Sequence, residues 1–331
     1  MSMVQLKTPE NPDCLFPDHQ DISVLLPRDF TLESGERLRR PELRIRLFGD
    51  RTQPLVVALG GISSGRKIAN ASDGQGWWRS IVGAGKSIDL NQNCVLGFDF
   101  LPNSRETART ITTLDQARAL AHALKTLDFN AICGFVGASY GGMVALAFAA
   151  QYPDLVERLC IISAADRAHP AATALRGVQR RILRFAAECG KSEVGVALAR
   201  QLAMTTYRTP GEFAERFDGA PGDAAGEPYD VCDYLIARGA AFDMDAVRYM
   251  TLSDSIDRHR VDPSNIRSKT TVISSLSDQL VPPADLRRMA AAIPVAVNLH
   301  EIESRFGHDA FLKETKLVGA LIKNCTQEIK S

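Results

Sequence analysis

The segment Gly137-Ala-Ser-Tyr-Gly141 follows the apolar run Ala131-Ile-Cys-Gly-Phe-Val136 and precedes the helix-like run Gly142-Met-Val-Ala-Leu-Ala-Phe-Ala-Ala150. Glycines on both sides of a serine allow a sharp strand-to-helix turn that holds the hydroxyl at the helix N-terminus. An isolated pentapeptide of this kind also occurs in ordinary turns. The strand before it and the helix after it favour a turn that presents a nucleophile, and Ser139 is the candidate.

Runs of apolar residues flank this segment on both sides along the chain. Runs at 54–59, 94–98, 131–136 and 159–163, followed later by 270–276 and 296–302, predict strands covered on both faces. The alternating run Glu42-Leu-Arg-Ile-Arg-Leu-Phe48 predicts an edge or hairpin strand. Helix-period segments at 114–127 and 139–150 lie between strands. The pattern predicts an α/β fold with a doubly wound, mostly parallel sheet.

The strand pattern stops between residues 165 and 263, where the sequence has helical periodicity instead. A segment this long is too large for a single loop. The sequence predicts a helical cap at 165–263, inserted between two parts of one core, 1–164 and 264–331.

Composition narrows the classes of partner. The 39 lysines and arginines equal the 39 aspartates and glutamates, which argues against nucleic acid or an anionic membrane and favours a small molecule. No run reaches the roughly 20 apolar residues of a membrane span, and residues 1–20 lack the pattern of a secretion signal. Seven cysteines stand singly, without disulfide or metal spacing. We expect a cytoplasmic protein with no metal and no cofactor.

A serine hydroxyl needs an adjacent base, and the base needs an orienting group. In a fold of this type the acid and then the base follow the serine along the chain. Asp278 comes directly after the strand predicted at 270–276, and His308 follows the last strand. His169 follows an earlier strand and remains a rival base. The other histidines are predicted to be structural or on the surface: His19 in an irregular segment, His122 in a helix, His259 in a charged run and His300 in a strand.

An oxyanion formed during attack by Ser139 would need backbone donors. The N–H of Tyr140 is one candidate because it follows the nucleophile. The glycine-rich turn after the strand at 54–59 supplies the other, with Ile62 nominated and Gly61 left open.

Arg200 and Tyr207 lie seven residues apart in a helix-like segment, and therefore on one helical face. Such a pair suits a small carboxylate. A solvated arginine beside a packed tyrosine explains the same pattern. The serine, acid and base together support ester hydrolysis, peptide hydrolysis or acyl transfer, so they leave the acceptor open.

The chain resembles the homoserine O-acyltransferases of the α/β-hydrolase fold. The resemblance rests on Gly76-Trp-Trp-Arg-Ser-Ile-Val-Gly-Ala-Gly-Lys-Ser-Ile-Asp89, the Ser139 turn, the Arg200 to Tyr207 segment and Gly307-His-Asp-Ala-Phe-Leu312. It implies that Ser139, Asp278 and His308 form a catalytic triad. It also implies that Arg200 and Tyr207 bind the homoserine carboxylate and that Asp309 binds the amino group.

The resemblance further implies a ping-pong reaction in which an acyl-CoA loads the serine and L-homoserine takes the acyl group, for methionine synthesis. Relatives dimerise through the helical cap, so a homodimer is expected. Alternatives are a serine acceptor, a hydrolase of small esters, and a non-catalytic binding protein.

The turn Gly60-Gly-Ile-Ser-Ser-Gly-Arg66 is similar to the succinyl-transferring branch of that family, so succinyl-CoA is preferred over acetyl-CoA. The second carboxylate of a succinyl group would be costly to bury without a cation. Arg66, just behind the oxyanion turn, is the candidate for that role, with a surface arginine as the other interpretation.

Overall fold

A computed structural model describes residues 19–39, 42–102, 109–222 and 229–327. Residues 1–18, which bear most of the expectation about a secretion signal, lie outside the described residues. Within the described ranges, no helix combines the length and the apolar character needed to cross a membrane.

A central sheet of eight strands in the described residues organises the fold. The strands, with two short extra ones, are β1 (His19–Leu25), β2 (Glu42–Phe48), β3 (Leu55–Leu59), β4 (Val82–Gly83), β5 (Ile88–Asp89), β6 (Cys94–Phe98), β7 (Ile132–Ala138), β8 (Val156–Ile162), β9 (Lys269–Ser275) and β10 (Val297–Ile302). The order in the sheet is β1-β2-β6-β3-β7-β8-β9-β10, and β4 and β5 pair separately. The two antiparallel pairs among the described strands of this sheet are β1 with β2 and β2 with β6; the other neighbouring strands are parallel. The prediction of a mostly parallel α/β sheet is confirmed.

Helices cover the sheet and fill one long connection. They are α1 (Thr113–Thr126), α2 (Tyr140–Gln151), α3 (Pro170–Glu188), α4 (Ser192–Tyr207), α5 (Pro210–Arg216), α6 (Asp230–Ala240), α7 (Ala246–Arg258), α8 (Pro283–Ala292), α9 (Ala310–Lys313) and α10 (Thr315–Gln327). Helices α3 to α7 lie between β8 and β9, in the segment for which the sequence predicts a cap. We call them the inserted helices. The boundaries of the cap at 165 and 263 stay a prediction.

The side chains of β3 explain why the central strands read as continuous apolar runs. Leu55, Val57 and Leu59 belong to a core shared with α1 and α2. Val56 and Ala58 point to the other face and belong to a second core, which includes residues of α10. Both faces of the strand are buried, so every position favours an apolar residue.

The edge of the sheet differs from the expectation. His19 begins β1 and does not lie in an irregular segment, because β1 pairs with β2 along its full length. The polar face predicted for β2 is also not fully solvated. Arg46 is 1% exposed and donates from Nε to Asp21 Oδ1 at 2.8 Å and from Nη1 to Asp73 Oδ1 at 2.7 Å. The two carboxylates satisfy a cation that burial alone would strongly disfavour.

Candidate active site

Ser139 occupies a strained turn between β7 and α2. Its backbone has φ 54° and ψ −124°, a conformation that costs a non-glycine residue roughly 1–3 kcal/mol. The turn is possible because glycines lie two residues before and two residues after Ser139. A Cβ on Gly137 would lie 2.4 Å from the Gly141 carbonyl oxygen, and one on Gly141 would lie 2.5 Å from the carbonyl carbon of Leu59. The sheet and the helix therefore approach too closely for a side chain at either glycine.

Ser139, His308 and Asp278 form a chain of hydrogen bonds. His308 Nε2 lies 2.8 Å from Ser139 Oγ, and His308 Nδ1 lies 2.7 Å from Asp278 Oδ2. Asp278 and His308 are buried, at 3% and 6% exposure. With the Nδ1 proton on the side of the carboxylate, Nε2 is free to accept the serine proton.

Backbone donors hold the carboxylate that faces His308. Asp278 lies in the turn after β9, where its Oδ1 accepts the N–H groups of Leu280 at 2.9 Å and Val281 at 3.0 Å. These bonds leave Oδ2 directed at the imidazole. His308 lies in a short 3-10 turn, Gly307–Asp309, after β10. The N–H of Gly307 donates to Ser277 Oγ at 3.2 Å, which ties this turn to the one that carries Asp278.

The charges around His308 decide how readily it is protonated. Burial is the largest influence and lowers the pKa of the ring, but the carboxylates of Asp278 and Asp309 raise it and outweigh burial. The pKa of His308 therefore lies above its ordinary value. The same surroundings stabilise the imidazolium that forms when the ring takes a proton from Ser139.

The candidate oxyanion donors belong to residues that line the same cavity as Ser139. Tyr140 is the first residue of α2, so its N–H has no acceptor within the helix. The N–H of Gly141 donates to the Gly60 carbonyl at 2.8 Å, which holds the glycine-rich turn against the start of α2. Ile62 and Gly61 both line the cavity above Ser139. Ile62 therefore stays the nominated second donor, and Gly61 stays the alternative.

Arg200 and Tyr207, both on α4, line the same cavity as the serine. The guanidinium carbon of Arg200 lies 5.3 Å from the centre of the Tyr207 ring and 4.6 Å from that of Phe242. The Tyr207 ring centre is 6.0 Å from that of His308. No carboxylate of the described residues forms an ion pair with Arg200, so a bound anion can use its charge.

Asp309 lines the cavity beside His308, and burial raises the pKa of its carboxyl group. Arg208 Nη2 lies 3.6 Å from Asp309 Oδ2, and Arg208 Nη1 also contacts the buried carboxylate of Glu212. Sequence reasoning did not single out Arg208 or Glu212. Arg208 directly follows α4 and Glu212 lies in α5, so the pair forms across the break between two helices and helical periodicity gives no signal of it.

The cavity that joins these groups has a volume of about 740 Å³. Its described lining contains one carboxylate, that of Asp309, and seven basic side chains: Arg79, Arg167, Arg176, Arg200, Arg208, Arg238 and Lys313. A chain with no net charge thus concentrates positive charge at one site. Such a cavity attracts anionic substrates.

Arg66 lies outside this lining. Its Nη1 donates to Asp99 Oδ2 at 2.5 Å and its Nε to Asp21 Oδ1 at 3.0 Å. Two carboxylates already compensate its charge, and the side chain does not face the cavity. This geometry does not favour Arg66 as the ligand of an acyl carboxylate.

Two of the remaining histidines, His259 and His169, have hydrogen-bond partners outside the Ser139–His308–Asp278 chain. His259 is 2% exposed and lies 2.7 Å from Thr113 Oγ1 through Nδ1. Burial lowers its pKa to about 4. His169 lines the cavity and caps α3 by accepting the N–H of Ala171 at 3.3 Å, whereas the contact with Ser139 Oγ is made by His308.

One group of metal-ligand side-chain types, His19, Asp21 and Asp73, lies together among the described residues. Both carboxylates are already bound to Arg46. The group belongs to the ion-pair network at the sheet edge.

The sheet order, the strained serine turn and the Ser-His-Asp chain define an α/β hydrolase. The family described as alpha/beta hydrolase fold matches residues 55–315. Within that class, the chain belongs to the homoserine O-acyltransferases, a family of acyltransferase enzymes.

Three known proteins show the range of similarity. A homoserine O-succinyltransferase of Xanthomonas campestris pv. campestris is 40% identical over 87% of this chain and 79% of its own length. A homoserine O-acetyltransferase of Clavibacter michiganensis subsp. michiganensis is 30% identical over 87% of this chain and 88% of its own. The crystal structure of homoserine O-acetyltransferase from Bacillus anthracis covers 94% of this chain and 98% of its own, with TM-score 0.83 and 18% identity. The last likeness concerns the fold alone.

Proposed function

We propose that this protein transfers a succinyl group from succinyl-CoA to the hydroxyl of L-homoserine through an acyl-Ser139 intermediate, and so makes an activated ester for methionine synthesis. The hydrogen-bonded chain from Ser139 to Asp278, at the base of a cationic cavity, carries this proposal.

The first half-reaction loads the serine. His308 Nε2 takes the Ser139 proton while Oγ attacks the thioester carbonyl, and the N–H groups of Tyr140 and Ile62 stabilise the oxyanion. The C–S bond then breaks, and the departing thiolate takes the proton from His308. Asp278 stabilises the imidazolium between these two transfers.

The second half-reaction transfers the acyl group from Ser139 to homoserine. Arg200 with Tyr207 binds the homoserine carboxylate, and Asp309 binds its ammonium group. His308 then removes the hydroxyl proton as the homoserine oxygen attacks the acyl-serine ester. The ester bond to Ser139 breaks, and Oγ regains the proton from His308, which restores the starting state.

The charge of the cavity supports an anionic donor. Coenzyme A carries phosphates, and a succinyl group adds a carboxylate that acetyl lacks. Four of the seven basic lining residues are exposed, Arg79, Arg167, Arg238 and Lys313, and are placed to meet phosphates that stay in contact with water. The 40% identical relative is named a succinyltransferase, whereas the 30% identical one is named an acetyltransferase.

A matrix of two donors and two acceptors tests the proposal. Succinyl-CoA and acetyl-CoA are each combined with L-homoserine or L-serine, and both free CoA and the O-acyl amino acid are measured. We expect O-succinyl-L-homoserine as the main product. Preferential formation of O-acetyl-L-homoserine would show that acetyl-CoA, and not succinyl-CoA, is the donor. Preferential acylation of L-serine would show that serine, and not homoserine, is the acceptor. Release of CoA that does not depend on an amino acid, with no acyl amino acid formed, would show that the protein is a hydrolase and not a transferase.

The reaction as written needs no resident metal or cofactor, and acyl-CoA serves as a co-substrate. We propose that a chelator leaves the rate unchanged. We place the enzyme in the cytoplasm, where acyl-CoA and homoserine are both available to a biosynthetic reaction.

We also propose a homodimer that forms through the inserted helices. Seven of the eleven exposed large apolar side chains in the described residues lie in this segment: Leu175, Val178, Phe185, Val194, Leu198, Tyr229 and Ile236. Burial of exposed apolar side chains favours association. Phe185→Asp should therefore convert a dimer to a monomer in light scattering, while Leu317→Asp on α10 should leave it a dimer. A wild-type monomer would contradict the proposal.

A further inference from the structure

Only three of the seven basic residues that line the cavity are shielded from solvent: Arg176, Arg200 and Arg208. Arg208 contacts Glu212 and lies near Asp309. Arg200 lies between two aromatic rings and is placed for the acceptor carboxylate. Arg176, on α3, is the shielded cation that the reaction described above does not use.

Arg176 is held in a cluster with more positive than negative charge. Its Nε donates to Asp257 Oδ1 at 2.8 Å, and its Nη2 lies 2.6 Å from the same oxygen. Arg180 Nη1 binds the other oxygen of Asp257 at 2.6 Å. Two guanidinium groups thus share one carboxylate, which leaves one positive charge in excess. The side chains of Arg176 and Asp257 are 13% and 8% exposed, so this excess is only weakly hydrated.

The two arginines of the cluster differ in what they face. Arg180 does not line the cavity; its Nη1 donates to the carbonyl of the lining residue Ser253 at 3.1 Å and to Ser253 Oγ at 3.0 Å. Arg176 lines the cavity. Among the described residues, Arg176 Nη1 makes no hydrogen bond, so a ligand in the cavity can use that donor.

The cavity wall near Arg176 suits a short dicarboxylic acyl chain. Arg176 and Ser139 line the same cavity, together with the apolar side chains of Met143, Ala172 and Ile256. Arg176 is also near enough to His308 for its positive charge to oppose, in small part, the rise in the pKa of the ring that Asp278 and Asp309 cause. The methylenes of a succinyl group match the apolar wall, and its terminal carboxylate matches a shielded guanidinium.

We propose that Arg176 binds the distal carboxylate of the acyl group carried on Ser139, and so selects a dicarboxylic donor such as succinyl-CoA over acetyl-CoA. This inference rests on the proposed acyl-serine reaction. It replaces Arg66 as the candidate for this role. Asp257 acts as a positioning residue, because it holds the guanidinium of Arg176 and does not line the cavity.

The test compares kcat/KM for succinyl-CoA and acetyl-CoA in Arg176→Met. Loss of a buried partner of a charge should lower the succinyl-CoA value by about 100-fold, while the acetyl-CoA value changes less than about threefold. The KM for homoserine should stay the same. Arg180→Met is the matched control, since it removes a charge from the same cluster outside the cavity and should affect both donors alike. Arg66→Ala should leave the ratio of the two donors unchanged.

Equal loss with both donors in Arg176→Met would overturn the inference, because a purely structural role of the cluster predicts that result. The inference would also be overturned if Arg180→Met or Arg66→Ala changed the ratio of kcat/KM for the two donors more than Arg176→Met does. If the methionine variant does not fold, Arg176→Lys keeps the charge but loses the planar donor geometry. It should lower the ratio by roughly tenfold, and an unchanged ratio would again overturn the inference.

A failure of the proposed function can be distinguished from a failure of the role proposed for Arg176. If the wild-type protein forms no acyl-Ser139 with either donor, as judged by mass spectrometry, the reaction itself is wrong. If the wild type forms succinyl-Ser139 and Arg176→Met retains the donor preference, only the role of Arg176 is wrong.

Discussion

The Ser139 side of the cavity and the side built by the inserted helices are held together in different ways. On the first, backbone atoms are in close contact, and Gly137 and Gly141 have no space for a side chain. On the second, charged and aromatic side chains set the positions: Arg176 binds Asp257, and Arg200 lies between two rings. The reacting groups therefore lie in turns that follow strands of the sheet, together with Asp309, while the arginines suited to binding substrate lie on the inserted helices.

This difference predicts two kinds of mutational effect. Changes on the sheet side should remove activity with every substrate, because they alter the reacting atoms or their placement. Changes on the helix side should alter which substrate is used, because they alter single contacts to it.

Ser139→Ala should have the largest effect. Without the nucleophile, formation of the acyl-enzyme should cease, and the overall rate with either donor should fall by about 10⁴-fold or more. Mass spectrometry of the protein after mixing with acyl-CoA tests this, and an unchanged thermal unfolding midpoint shows that the variant is folded. Acylation of the variant at another residue would contradict the assignment.

Arg200→Met should affect one half-reaction. Loss of the cation should raise the KM for homoserine by about 10- to 100-fold, while the burst of CoA release before homoserine is added stays within about twofold. Rapid-mixing kinetics separates the two steps. Arg238→Met removes an exposed cation from the same lining and should change the homoserine KM less than about twofold. A slower burst in Arg200→Met would place Arg200 in the first half-reaction instead.

Two glycine-to-alanine substitutions compare the regions directly. In Gly141→Ala the new methyl would meet the backbone of Leu59 at 2.5 Å, so we expect a loss of about 1–3 kcal/mol in the free energy of unfolding. In Gly177→Ala, within α3, nothing lies within 4 Å, and the helix should gain about 0.5–1 kcal/mol. Urea unfolding measures both. If both substitutions changed the free energy of unfolding in the same direction, the Ser139 side and the inserted helices would not differ in packing as described.

The pH dependence of the first half-reaction gives the smallest effect. His308 must be neutral to accept the Ser139 proton, so activity is present above its pKa and is lost as the pH falls through it. Because Asp278 and Asp309 raise that pKa above its ordinary value, the acid limb should lie above about pH 6.5. Asp309→Asn removes one of the charges that raise the pKa of His308 and should move the acid limb to lower pH. A limb that moves upward, or not at all, would contradict this account.

The sequence predicted most of the sheet because each central strand is an unbroken apolar run. The strand β6 begins and ends where the run at 94–98 does. The edge strand β1 was missed, since only one of its seven residues is buried and the pattern carries little signal. Helix α7 lies within the segment that the sequence predicts to be helical, although its own signal is weak. Its buried residues include Thr251, Ser253 and Ser255, so the apolar periodicity that marks a helix is weak there.

In the candidate site, too, some residues could be predicted from the sequence and others could not. Ser139, Asp278 and His308 could be nominated from local context and chain order, and the structure brings them within hydrogen-bonding distance. Arg66 was nominated because it is close in sequence to the oxyanion turn, but Asp99, 33 residues away, binds it instead. Arg176 was not nominated, since its partner Asp257 lies 81 residues further along the chain.

By itself, the sequence determined the strand-turn-helix that holds Ser139, the parallel sheet, and the order of acid and base, because these depend on the local pattern of apolar residues and glycines. Only the tertiary structure decided which cations face the cavity. That outcome depends on carboxylates distant in the chain, which compensate Arg46 and Arg66 outside the cavity but leave part of the charge of Arg176 free inside it. Charge pairing of this kind acts through space, and local sequence does not record it.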